Sequence, residues 1–138
     1  MEIKKNYFSI LYLFIGLSSL FFFTWTGKYL GRSYPDKHNL EMGFRVMLRS
    51  RHIFILLVSL IEMGIGVYIQ QSTKMLYLSI QWLATILLVV AHTLFIYAFF
   101  YEVEIIHIPK TPILHYATYF VLASLIFHLL TKFESKFK

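Results

Sequence analysis

Four long apolar stretches constrain the fold of this chain more than any other feature of its sequence. A helix needs roughly 20 mostly apolar residues to cross the hydrocarbon core of a bilayer. Stretches of that kind lie at about residues 7–27, 52–70, 76–101 and 113–131. They take up most of the 138 residues, so we predict a single four-helix membrane domain over residues 1–138. The predicted fold is an all-α integral membrane protein, a bundle of four antiparallel transmembrane helices.

The composition excludes most soluble protein classes. Hydrophobic residues make up 58% of the chain and charged residues only 14%, whereas soluble domains are usually about 45–50% apolar and about 25% charged. Intrinsic disorder needs low hydrophobicity and is excluded as well. Because the chain has no cysteine, it has no disulfides, no thiol nucleophile and no cysteine-ligated zinc or iron–sulfur cluster.

Four spans place both ends of the chain on the same side of the membrane, and we expect a multi-pass protein of the cell (inner) membrane. The positive-inside rule does not choose an orientation, because basic residues are nearly equal on the two sides. The side with the termini carries six: Lys4, Lys5, Lys74, Lys132, Lys136 and Lys138. The opposite side carries seven: Lys28, Arg32, Lys37, Arg45, Arg49, Arg51 and Lys110.

The longest polar stretch, residues 36–51, has a helical pattern of its own. Glu41 and Arg45 are spaced i,i+4, which is a favourable pair on a helix surface. Four apolar residues share the opposite face: Leu40, Phe44, Met47 and Leu48. We therefore predict a short amphipathic interfacial helix before the second span, either separate from that span or continuous with it.

One polar layer is predicted near the middle of the bilayer. Glu62 is the only acidic residue inside any span. At about 1.5 Å per residue, Glu62 and His92 both lie about 15–16 Å below the membrane face that carries the arginines. Ser19 and Ser124 fall at comparable depth. An ionisable side chain at this depth costs a few kcal/mol and marks a candidate functional site. We assign these four residues to ligand binding or proton transfer, with a purely structural hydrogen bond as the alternative.

A second candidate site is an arginine-rich rim on the face opposite the termini. Arg45, Arg49 and Arg51 offer planar guanidinium groups, which bind phosphate or carboxylate with two parallel hydrogen bonds. They are predicted to hold an anion or a lipid headgroup. The alternative is a charged interfacial helix that orients the protein in anionic lipid.

Two histidines suggest a haem alternative. His52 and His115 lie near the same face, at the starts of the second and fourth spans. Histidines on facing helices at matching depth can ligate haem b in a membrane bundle, with Arg49 and Arg51 available for the propionates. The arrangement is similar in architecture to four-helix b-type cytochromes, although no sequence motif accompanies it. His52 and His115 are thus metal ligands only if haem is bound.

The sequence contains no motif typical of a hydrolase, a zinc protease or a phosphate-binding loop. We therefore predict a non-enzymatic protein that binds a hydrophobic or anionic ligand, or a larger membrane complex, through the polar layer and the rim. The alternatives are a haem redox protein and a small proton-coupled transporter or channel that uses Glu62. Expected partners are the lipid bilayer, the small molecule, and a second copy of the chain or a larger complex. Nucleic acid is not expected, because the basic residues are divided between both membrane faces.

Overall fold

The computed structural model describes residues 7–36, 39–104 and 112–133, and four long helices account for most of them. They are α1 (Tyr7–Ser33), α2 (Met42–Tyr68), α3 (Met75–Glu104) and α4 (Pro112–Phe133). Each is long and apolar enough to cross a membrane. Some basic residues in the comparison of the two faces lie outside the described residues: Lys4, Lys5, Lys37, Lys110, Lys136 and Lys138.

The helices extend beyond the predicted spans where nothing in the sequence stops them. α1 continues to Ser33, and the amide of Tyr34 still donates to the carbonyl of Leu30 at 3.1 Å. Pro35 follows, and a proline disfavours helical backbone in the residue before it. The predicted amphipathic segment is not a separate helix, because residues 42–51 form the first turns of α2. Its apolar face packs on the bundle, where Leu48 is buried.

The closest packing joins α1 to α2. A Cβ at Gly16 would lie 2.6 Å from the Cγ of Met63 and 2.9 Å from its backbone nitrogen, so only glycine fits there. The hydroxyl of Ser59 donates to the carbonyl of Gly16 at 2.7 Å, and the hydroxyl of Ser9 donates to the carbonyl of Gly66 at 2.5 Å. Small residues and hydroxyl-to-carbonyl bonds of this kind hold apolar helices together without a hydrophobic driving force between them.

α3 packs mainly against α4 in the same manner, and α2 joins the two helix pairs. The hydroxyl of Ser124 donates to the carbonyl of Ala84 at 2.7 Å, and both residues are fully buried. Between α2 and α3, the rings of Phe54 and Phe95 stack with their centroids 5.4 Å apart. The result is a four-helix bundle.

The bundle has two chemically different halves, which meet at the level of Glu62. The polar half comprises residues 7–19, 59–70, 75–92 and 121–132, and it contains most of the described hydrogen bonds that join side chains of different helices. The aromatic half comprises residues 20–33, 42–58, 93–101 and 112–120, and it contains most of the ring–ring contacts.

Candidate functional site

Glu62 and His92 are in contact near the middle of the bundle. The imidazole Nδ1 lies 3.1 Å from one carboxyl oxygen of Glu62 and 3.2 Å from the other. The side chain of Glu62 is 1% exposed and that of His92 is 11% exposed. The structure thus brings together the two residues that the sequence placed at one depth, although their role in binding or proton transfer stays a prediction.

The chemistry of this pair explains why it can be buried. A carboxyl and an imidazole that share one proton have no net charge, whichever of the two carries the proton. Removing a neutral, hydrogen-bonded pair from water costs far less than removing an isolated carboxylate. The pair can accept or release a proton, and it also fixes the positions of α2 and α3 relative to each other.

The two serines of the predicted layer lie on buried helix faces. Ser124 bonds to Ala84 and so joins α4 to α3. Ser19 is fully buried, and its hydroxyl has no hydrogen-bond partner among the residues that the structure describes. It shares its face of α1 with Tyr12 and Gly16, which are also buried. The hydrogen bonds of these two serines therefore do not extend the Glu62–His92 pair into a four-residue layer.

The predicted arginine rim is divided in the structure. Arg51 is 1% exposed and belongs to the buried face of α2, on which Ile55 and Glu62 also lie. Arg49 is exposed, and Arg45 is half-buried. Residues two apart on a helix point in different directions, whereas residues four apart share a face. Arg45 and Arg49 accordingly line one small recess of about 60 Å³, together with Leu48.

The two histidines of the haem alternative are on different helices with different surroundings. His52 stacks on Phe23 with centroids 4.1 Å apart, and its Nδ1 lies 3.0 Å from the hydroxyl of Thr26. It also contacts Phe99 at 6.4 Å between centroids. The contacts described for His52 are thus with α1 and α3, while His115 is exposed on α4. Haem ligation by His52 and His115 stays a prediction.

A buried hydrogen-bonded cluster in the polar half was not predicted. The hydroxyl of Tyr12 lies 2.9 Å from the hydroxyl of Thr85 and 2.6 Å from Nε2 of His128, which joins α1, α3 and α4. Tyr12 is fully buried. Thr85 lies one turn from Gln81 and two turns from His92, and this polar stripe is visible in the sequence. No sequence signal pairs Tyr12 with His128, which lies 116 residues further along the chain.

Gln81 extends this polar region to the connection between α2 and α3. Its side-chain amide donates to the carbonyl of Gln70 at 2.8 Å, and its oxygen accepts from the amide of Ser72 at 3.0 Å. The connection has no regular structure to satisfy its own backbone groups, so the glutamine side chain takes over that role. Gln81, Gln70 and Ser72 all line one cavity.

This cavity has a volume of about 490 Å³ and lies between the ends of α2 and α4. The volume falls within the range of roughly 300–1,000 Å³ that is usual for small-molecule sites. Its apolar wall includes Ile65, Ile69, Leu125 and Leu129, and its polar side chains include Gln81, His128 and Lys132. His128 therefore belongs to both the buried cluster and the cavity wall.

Within the described residues, no group of three or more His, Asp or Glu side chains is arranged to hold a metal ion. Comparison of the chain with protein-family models, with curated proteins and with solved structures gives no match. The candidate functional site is thus defined by geometry alone. It consists of the Glu62–His92 pair and the cavity that His128 lines.

Proposed function

We propose that this chain is a multi-pass protein of the cell (inner) membrane, with four antiparallel spans and both ends on the same side. The distribution of side chains supports this, because it is the reverse of that in a water-soluble protein. Phe14 and Phe21 are 70% and 74% exposed, whereas Glu62 is fully buried. An apolar surface this extensive is not stable in water. Opposite helix directions are supported by two contacts, Ser9 with Gly66 and Thr26 with His52.

Within that membrane domain, we propose non-enzymatic binding of an amphiphilic small molecule that has an apolar body and a polar or anionic head. The observation that carries this proposal is the cavity of about 490 Å³ between α2 and α4. The arginine recess, at about 60 Å³, has only the volume of about two liquid water molecules. We therefore propose the cavity, and not the predicted rim, as the binding site.

The cavity wall matches the two parts of such a ligand. Ile69, Leu125 and Leu129 provide apolar contact for a chain. Lys132 supplies a positive charge at the end of α4, where its ammonium group donates to the carbonyl of Tyr68 at 2.8 Å. A lysine at the end of a span keeps its charge near the headgroup level, while its stem covers apolar surface.

Filling the cavity tests the proposal. Gly64 lines the cavity, and a Cβ added there would have no atom within 4 Å. In Gly64→Phe, the new ring should fill the cavity without disturbing the contacts between helices. Native mass spectrometry should then show that the variant no longer carries co-purified lipid. Gly31→Phe is the matched control, because Gly31 also has open space within 4 Å but lies at the other end of the bundle. Equal lipid retention in both variants would reject the cavity as the binding site.

A second candidate function is proton-coupled transport or conduction, in a single chain or in an oligomer. The observation that favours it is the buried Glu62–His92 pair, which can hold a transferable proton. In proteoliposomes loaded with a pH-sensitive dye, Glu62→Gln should abolish proton flux because the amide cannot exchange a proton at this site. Glu41→Gln, at an exposed position before α2, should leave the flux unchanged. Flux that persists in Glu62→Gln would exclude Glu62 as the proton carrier.

A further inference from the structure

The hydrogen bonds around Tyr12 have only one consistent direction. The hydroxyl of Thr85 lies 2.7 Å from the carbonyl oxygen of Gln81, and a carbonyl can only accept, so Thr85 donates there. Thr85 then has no proton left for Tyr12, and its oxygen must accept the proton of the Tyr12 hydroxyl at 2.9 Å. The single proton of Tyr12 is thereby used.

This direction determines the protonation of His128. The remaining contact of Tyr12 is the 2.6 Å approach of His128 Nε2, and the tyrosine oxygen can only accept in it. Nε2 must therefore carry a hydrogen. In the neutral imidazole one nitrogen donates and the other accepts, so Nδ1 is the acceptor. The buried hydroxyls of Tyr12 and Thr85 thus select the tautomer of a histidine that lines the cavity.

The acceptor nitrogen lies on the ring edge away from Tyr12. Nδ1 and Nε2 lie on different edges of the ring, and Nε2 faces Tyr12. Among the residues that the structure describes, Nδ1 of His128 has no hydrogen-bond partner. His128 and Lys132 both contribute to the cavity wall, and Nδ1 is the nitrogen of His128 that is left to accept a hydrogen bond.

We infer that the cavity recognises a single-chain lipid whose headgroup carries a hydroxyl, and that His128 Nδ1 accepts the hydrogen bond from that hydroxyl. This inference rests on the proposed binding function. A hydroxyl is both donor and acceptor, so it complements the imidazole and the ammonium group together. A carboxylate or an ether has no proton to donate to Nδ1. A single chain suits the volume of about 490 Å³ and the apolar wall. Tyr12 acts as a positioning residue, because it holds the tautomer without touching the ligand.

A matched pair of lipids tests the inference. The protein in detergent is offered equal amounts of oleyl alcohol and oleyl methyl ether, and native mass spectrometry measures the ratio of the two bound forms. One hydrogen bond should favour the alcohol about five-fold in the unmodified protein. The ratio should fall to about one in His128→Phe, because the acceptor is lost. Tyr119→Phe, at an exposed position of the same helix, should retain the preference.

The role of Tyr12 has a spectroscopic readout that does not depend on ligand binding. With ¹⁵N-labelled histidine, the ring nitrogens of His128 should show a hydrogen on Nε2 in the unmodified protein. In Tyr12→Phe the constraint is removed, and both tautomers should appear. Tyr29→Phe should leave the spectrum unchanged. A hydrogen on Nδ1 in the unmodified protein would overturn the inference, and this measurement stands even if His128→Phe does not fold.

The outcomes separate the inference from the function on which it rests. If neither lipid binds the unmodified protein, and oleate does not bind either, the proposed binding function fails. If alcohol and ether bind equally and His128→Phe changes nothing, the cavity binds lipid but the hydroxyl preference is rejected. Binding of oleate in preference to the alcohol would likewise reject it, and would assign recognition to the charge of Lys132.

Discussion

The two halves of the bundle are held together by different kinds of interaction. In the polar half, hydroxyl, imidazole and amide groups bond across helices, as Tyr12 does with both Thr85 and His128. In the aromatic half, rings fill the space between helices. Phe23 stacks on His52 there, and Tyr29 contacts both Phe99 and Phe100.

The difference shows which half holds its side chains in one arrangement and which half can adjust their positions. Hydrogen bonds weaken steeply when their distances and angles change, so the polar half permits one arrangement of its side chains. Ring contacts are satisfied over a range of separations and angles, so the aromatic half can adjust. The larger cavity lies in the polar half, where the surrounding groups are held in fixed positions.

The largest expected difference between the halves concerns two glycines of α1. In Gly16→Ala, the new Cβ meets the backbone nitrogen of Met63 at 2.9 Å, and the backbone cannot move away. Overpacking should cost about 3 kcal/mol, against a gain of at most about 1 kcal/mol from replacing glycine in a helix. Gly27→Ala meets only the movable ring of His52 at 3.3 Å, and should remain within about 1 kcal/mol of the unmodified protein.

Unfolding by SDS in mixed micelles, followed by helical circular dichroism, measures both free energies. If Gly27→Ala proves as destabilising as Gly16→Ala, the aromatic half is packed as rigidly as the polar half, and the comparison fails.

The boundary between the halves should show an intermediate effect. His92→Leu leaves the buried carboxyl of Glu62 without its imidazole partner, which should cost about 1–2 kcal/mol in the free energy of unfolding. The double variant Glu62→Leu/His92→Leu removes both polar groups and should recover most of that loss, because no buried group is left unsatisfied. The same SDS titration gives the coupling energy. A double variant that is as unstable as His92→Leu would contradict this account and mean that the pair stabilises the bundle on balance.

The smallest effect compares one tyrosine from each half. Tyr12→Phe removes a fully buried hydroxyl that bonds to Thr85 and His128, and should lower the free energy of unfolding by about 1 kcal/mol. Tyr29→Phe keeps the ring contacts of a side chain that is 38% exposed, and should change the same quantity by less than about 0.5 kcal/mol. Thermal melting in detergent is sufficient to rank the two variants. An equal loss of stability in both would contradict the stabilising role assigned to the Tyr12 hydroxyl.

Much of the fold was predictable because long apolar segments carry a strong signal. The four helices lie at the four predicted stretches, because a long apolar segment without a proline or polar break favours one continuous helix. The ends of α1 and α2 were less predictable. The residues after Lys28 and those before His52 continue as helix, because no proline interrupts either segment.

The candidate site was predictable only in part. Depth along a helix follows from counting residues, and this placed Glu62 level with His92, which it contacts. The direction of Arg51 into the bundle depends on how α2 is rotated against its neighbours. The rotation of each helix depends in turn on the close contacts between helices, above all on the contact between Gly16 and Met63.

The sequence by itself determined that this chain forms four apolar helices with few polar groups to place among them. That follows from the length and hydrophobicity of each segment, which are local properties. Only the tertiary structure decided that Tyr12 meets His128 and that His128 and its neighbours line a cavity. Such contacts depend on the relative rotation and height of helices far apart in the chain. Those positions are set by close packing at small residues, where shifting a helix by about one ångström changes which side chains are in contact.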